Sequence, residues 1–177
     1  SSQGGDAYIC KLDSNGHCIW AKQMGGTFAV CAYAIAVNDS GYVYTTGYFD
    51  GTADFDPGAS SYNLTVMGYS DIFISKLDAA GNFIWAKQLG GQTGEVGYAI
   101  ALDHNGNVYS TGTFFGTVDF DPGPGVYKLT EKSYTGIDDG DRDIFVLKLD
   151  TDGNFVWAKQ MGGVLSDVGI GVALDGT

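Results

Sequence analysis

A chain of 177 residues carries 21 acidic against nine basic residues, a formal net charge of -12. Such a surface repels phosphate backbones and disfavours nucleic acid as a partner. With 28 Gly, 11 Tyr and 10 Phe and few helix formers, the composition favours short strands joined by glycine turns, an all-β class.

The first element is "DAYICKLDSNGHCIWAKQMGG", from Asp6. It reads as two strands around an "LDxxGN"-type turn that Asp13 opens, with Gly16 supplying the positive φ of a three-residue loop with a glycine bulge. A second hairpin follows from Tyr33, "YAIAVNDSGYVYTTGYFDGTADFDPG", whose tail holds the five residues Asp54 to Gly58. Both elements then return. "DIFISKLDAAGNFIWAKQLGG" starts at Asp71, and "YAIALDHNGNVYSTGTFFGTVDFDPG" starts at Tyr98 and repeats the tail at Asp119 to Gly123. "DIFVLKLDTDGNFVWAKQMGG" starts at Asp143, and a last copy of the second element begins with "IGVALDGT" at Ile170.

About 30 of 53 positions are identical between Asp6–Gly58 and Asp71–Gly123, and Trp20, Trp85 and Trp157 are spaced by 65 and 72 residues. The added residues fall in "EKSYTGIDDGDRD". The repeat divides the chain into a first repeat or blade, 1–70, a second, 71–142, and a partial third repeat, 143–177, all within one domain.

Strands such as "DIFVLKLD" are apolar on both alternating faces, which suits a strand covered on both sides. Four antiparallel strands in two hairpins, repeated at 65–72 residues with an extra hairpin, describe β-propeller blades stacked face to face. Two and a half units leave that propeller incomplete. "VLKLDTDGNFVWAKQMGG", with "GVALDG" and "GNVYSTG", resembles the bacterial secreted β-propeller repeats known as SBBP repeats. The resemblance implies a propeller in a protein secreted from, or displayed on the surface of, a bacterium. It also implies candidate cargo of the type IX secretion system.

Calcium requires six to eight converging oxygens. The candidate ligands are Asp54 and Asp56 in the first "DFDPG", Asp119 and Asp121 in the second, and Asp138, Asp139, Asp141 and Asp143 in the acidic insert. The competing reading makes "DFDPG" a turn: Phe55 and Phe120 pack inward while Asp56 and Asp121 open a Pro-Gly type II turn with positive φ on Gly58 and Gly123. That reading leaves the first Asp of each pair unexplained.

Cys10, Cys18 and Cys31 replace packing residues of the other units and are expected to be small buried groups, a Cys10–Cys18 disulfide being the alternative. His17 and His104 occupy turn positions held elsewhere by Asn or Ser. The recurring lysines, Lys11, Lys76 and Lys148 among them, suit blade structure better than one active site. The tryptophans read as core, with Tyr48 and Tyr69 as better surface aromatics. No nucleophile, zinc or phosphate-loop motif occurs, and no stretch approaches the apolar length of a membrane span.

The expectation is a non-catalytic module for adhesion, display or binding of a protein or glycan. It is completed by further blades of the same chain or by self-association. Two alternatives stand beside it: a structural fragment carried as cargo by secretion machinery, and a propeller enzyme acting on polysaccharide. The full chain's blade composition would separate them.

Overall fold

The computed structural model describes residues 4–132 and 141–175, and among them no helix occurs. Twelve strands form: β1 (Ala7–Leu12), β2 (Cys18–Gly26), β3 (Val30–Val37), β4 (Val43–Asp54), β5 (Asn63–Leu77), β6 (Phe83–Gly91), β7 (Val96–Leu102), β8 (Val108–Phe114), β9 (Thr117–Asp119), β10 (Lys128–Thr130), β11 (Asp143–Leu149) and β12 (Phe155–Met161).

The turns follow the sequence. In the β1–β2 hairpin the Asp13 N–H donates to His17 O, the Gly16 N–H donates to Asp13 O, and Gly16 lies at φ 82°. Asp78/Gly81 and Asp150/Gly153 reproduce this geometry at φ 81° and 77°. Each opening Asp also caps the loop through its side chain, Asp78 Oδ1 accepting from the N–H of Ala80 and Asn82 at 2.8 Å. Those N–H groups hold the Asp78 carboxyl below the usual carboxylate range, as the His17 and Asn15 N–H groups do for Asp13.

Pairing runs β3-β4-β5-β6 in one complete four-stranded blade and β7-β8-β11-β12 in the next, all antiparallel. Each blade therefore takes its first hairpin from one sequence unit and its second hairpin from the following unit, so blade and repeat are out of phase. β1 and β2 form the outer half of a preceding blade, and residues 168–175, counterparts of β3 and β7, enter no sheet. The fold is an incomplete β-propeller.

The core lies between blades. Alternation along β5 sends Phe73 and Leu77 to one face, where they meet Ala7, Ile9 and Met24 of the preceding half-blade. Ile72 and Ile74 face the other way and pack with Phe145, Leu147 and Leu149 of the next blade. Both faces of the middle blade are thus covered, as its doubly apolar strands require.

The first hairpin has only one such face. Leu12 is 56% exposed, whereas its counterparts Leu77 and Leu149 are fully buried. This corrects the reading of the cysteines as buried thiols: Cys10 and Cys18 are exposed, Cys31 is half-buried, and all are free. Ser75 and Leu147, which match Cys10, are fully buried because a further strand and blade cover them.

Candidate functional site

The repeated "DFDPG" element is a clasp between blades. In the middle blade the β4 tail and β5 head form its hairpin; in the next blade β9 and β10 do. The hairpin reaches back to the outer strand of the preceding blade, pairing Asp54 and Ala53 with Gly25 and Gly26, and Asp119 and Val118 with Gly90 and Gly91. The glycine pair is needed for this approach. A Cβ on Gly26 would stand 2.1 Å from Thr52 O, and one on Gly91 2.4 Å from Thr117 O.

Phe55 and Phe120 are fully buried, as expected, 5.2 Å and 4.9 Å from the Phe49 and Phe73 rings in one clasp and 5.4 Å and 5.1 Å from Phe114 and Phe145 in the other. The carboxylates hold the loop. Asp54 Oδ1 accepts from the N–H groups of Asp56 (3.0 Å) and Tyr62 (2.8 Å), and Asp119 Oδ1 from those of Asp121 (3.1 Å) and Tyr127 (2.8 Å). Asp56 and Asp121 each accept from the Gly two residues on, at 2.8 Å. The first Asp thus has a role that involves no cation. One expectation is corrected: Gly58 and Gly123 do not adopt positive φ, because the Asp side chain supplies the turn's acceptor.

Two grooves that share the Gln, the Asp pair and the Pro of the repeat lie beside the clasps. One, of about 400 Å³, is bounded by Tyr62, Met67, Lys87, Gln88, Asp121 and Pro122; the other, of about 470 Å³, by Asp6, Gln23, Asp54, Asp56 and Pro57. Beneath them runs a repeated Asp–Gln bond. Gln23 Nε2 donates to Asp6 at 2.6 Å, Gln88 Nε2 to Asp71 at 2.5 Å, and Gln160 Nε2 to Asp143.

Of the acidic-insert candidates, Asp143 is buried in this bond and also accepts from the Lys132 N–H at 3.0 Å, while Asp141 accepts from the Ser166 hydroxyl at 3.4 Å. Asp138 and Asp139 lie outside the described residues. Among those described, no three His, Cys, Asp or Glu side chains form a group that could hold a metal ion. Both histidines sit on exposed turns, His17 bonded to Asp13 at 3.1 Å.

Sequence reading missed Glu95. It is fully buried, accepts from the Thr93 hydroxyl at 2.8 Å and the Gly91 N–H at 3.2 Å, and burial, with the neighbouring Asp71, pushes its carboxyl up to about 7. Burial raises Asp71 as well, and Asp71 Oδ1 has no hydrogen-bond partner among the described residues. The signal in the sequence was a substitution within the repeat: Glu95 stands where the first unit has Val30 and the third has Asp167.

A second blade-to-blade device joins a lysine and a tryptophan on one carbonyl. Lys11 Nζ (3.1 Å) and Trp20 Nε1 (3.3 Å) donate to Ala79 O, in the Asp78–Asn82 turn of the next blade. Lys76 Nζ (2.9 Å) and Trp85 Nε1 (3.3 Å) do the same to Thr151 O. The tryptophans are half-buried rather than core, Trp20 and Trp85 seating a neighbour's turn, and the ammonium groups of Lys11 and Lys76 reach a carbonyl, as the sequence suggested.

Four-stranded antiparallel sheets stacked through apolar faces and clasped by hairpins define a β-propeller. Residues 84–113 match the SBBP beta-propeller repeat family model, spanning most of β6 through β8. The chain is also similar to the uncharacterized WD repeat-containing protein L264 of Acanthamoeba polyphaga mimivirus, 26% identical across 88% of this chain and 12% of that protein. The regulatory protein FlaEY of Caulobacter vibrioides is 28% identical across 68% of this chain and 13% of that protein. The chain spans about an eighth of the length of these curated relatives.

Proposed function

We propose that the chain is a rigid, non-catalytic protein-binding module of an exported bacterial protein, its clasp grooves forming a repeated binding rim. One observation carries this reading: the recurring polar side chains of the described residues are engaged in turns and blade junctions, leaving the grooves as the repeated surface. One groove combines an apolar wall, Tyr62 at 41% and Met67 at 50% exposure, with the carboxylates of Asp119 and Asp121; the other repeats the carboxylates, as Asp54 and Asp56, without that wall. In a chain of net charge -12, such grooves suit an extended basic peptide. A propeller repeat and a WD repeat-containing relative accord with binding rather than catalysis, and the SBBP resemblance supports export.

An array of extended peptides with alternating basic and apolar residues tests the reading. Binding that weakens in Tyr62→Ala and Asp121→Asn supports it. Binding to a glycan array alone would replace the peptide partner by a sugar, and turnover of a polysaccharide would overturn the non-catalytic role.

A further inference from the structure

The two halves of β5 have different neighbours. From Ile72 to Leu77 it lies between β4 and β6, but from Asn63 to Thr65 it pairs with β4 alone. The Phe55 N–H donates to Tyr62 O, and Ala53 stands opposite Leu64, so the alternation of an antiparallel pair turns the backbone groups of Asn63 and Thr65 to the free edge. Thr65 O accepts there from Gln88 Nε2 at 2.7 Å. The N–H groups of Asn63 and Thr65 and the carbonyl of Asn63 have no partner among the described residues.

Edge strands are usually blunted by a charge or a proline. Asn63 to Met67 has neither, and Asn63 and Thr65 are exposed. The corresponding strand of the second clasp, β10, carries Lys128 and runs into Glu131.

This bare edge opens on the groove of about 400 Å³. At a strand rise of about 3.4 Å, a strand spacing of about 4.8 Å and a sheet depth of about 10 Å, that volume takes roughly two to three extended residues. The first clasp forms one wall and Asp119 to Gly125 of the second forms the other, with Gln88 of β6 between them. The next repeat of the stack therefore already stands in the wall and does not fill the space. On that far wall neither Asp119 nor Asp121 forms an ion pair with a lysine or arginine among the described residues. The charge of Lys87, the cation of the groove, is offset by its attraction to Asp150.

We propose that the Asn63–Thr65 edge takes up an extended basic peptide as an added β-strand, the peptide main chain pairing with Asn63 and the Thr65 N–H while alternate side chains bring a Lys or Arg to Asp119 and Asp121. This rests on the peptide-binding reading of the grooves and specifies how the peptide is held. Selectivity then comes from one side chain in two, because the main-chain contacts are the same for every residue that keeps its N–H.

Two measurements on the wild-type protein test it with the tightest peptide of the alternating basic and apolar array. In anisotropy titrations, peptides N-methylated one residue at a time are expected to lose about tenfold in affinity at the residue whose N–H meets Asn63 O, and about twofold or less at its two neighbours, whose N–H groups point away. In residue-resolved amide hydrogen exchange, saturating peptide should slow the Asn63 and Thr65 N–H groups and leave Leu64, already paired with Ala53, unchanged. A peptide that binds with no loss at any N-methylated position, or without protection at Asn63 and Thr65, overturns strand addition and leaves the groove a peptide site. Absence of binding by every peptide overturns both readings. Protection at these two amides that grows with protein concentration in the absence of peptide gives the edge to a second copy of the chain, and also overturns the proposal.

Discussion

Asp54 and Asp119 show how one carboxylate sets a loop. Each accepts from two backbone N–H groups eight or fewer residues away, in the hairpin that it opens. Asp119→Ala is expected to lower unfolding stability by about 1–2 kcal/mol in urea titrations, while Asp119→Asn, which keeps the acceptor oxygen, costs less. Since backbone groups occupy this oxygen, the melting temperature should not change on adding calcium or a chelator.

Glu95 has the opposite character. Its folded-state carboxyl titrates at about 7, above the ordinary 4.5, so between those pH values the native state holds a proton that the unfolded chain has released. Stability is therefore greatest below about 4.5 on this account and falls as pH rises through 7, by up to roughly 3 kcal/mol. Raised Asp71 acts in the same direction. Denaturation midpoints measured from pH 4.5 to 8 should fall in the wild type and flatten in Glu95→Gln.

At the scale of elements, the Lys–Trp seat explains why the same turn has different importance in different units. Gly81 and Gly153 need positive φ and also lie against the seat's Trp ring and a second lysine stem of the preceding blade: a Cβ added to either would stand 3.2 Å from Trp20 or 3.3 Å from Trp85, and 3.1 Å from Cγ of Lys22 or Lys87. Gly16 needs only the φ. Gly16→Ala should therefore cost only the backbone strain, about 1–2 kcal/mol, with Gly81→Ala and Gly153→Ala measurably more destabilising in the same assay. Equal losses at all three would mean that the turns are not seated.

Across the whole molecule, stability should be greatest where both faces of a strand are covered. Native-state hydrogen exchange is expected to be slowest in the second half of β5, where Asp71 to Leu77 are all buried, and in β8. It should be fastest in β1 and in 164–175, which have an open edge or no sheet partner. Uniform protection through β1 would mean that its open edge is covered in solution.

The strands, their turns and the inward Phe55 and Phe120 were legible because they depend on local pattern: alternation along a strand, positive φ at a turn glycine, an Asp beside backbone donors. The recurrence of "LDxxGN" and "WAKQ" likewise made stacked all-β blades readable from residues alone. What the chain order did not reveal is which hairpins share a blade. Adjacent hairpins of one unit look like natural partners, yet β4 pairs with β5 across the unit boundary, since the clasp joins them and β2, beyond its hairpin partner β1, pairs with the clasp alone. The same holds for the partners of Trp20 and Lys11, which lie 59 and 68 residues away at one carbonyl, and for the burial that raises Glu95. Those depend on which faces the neighbouring blades bring together, and only the tertiary structure decides that.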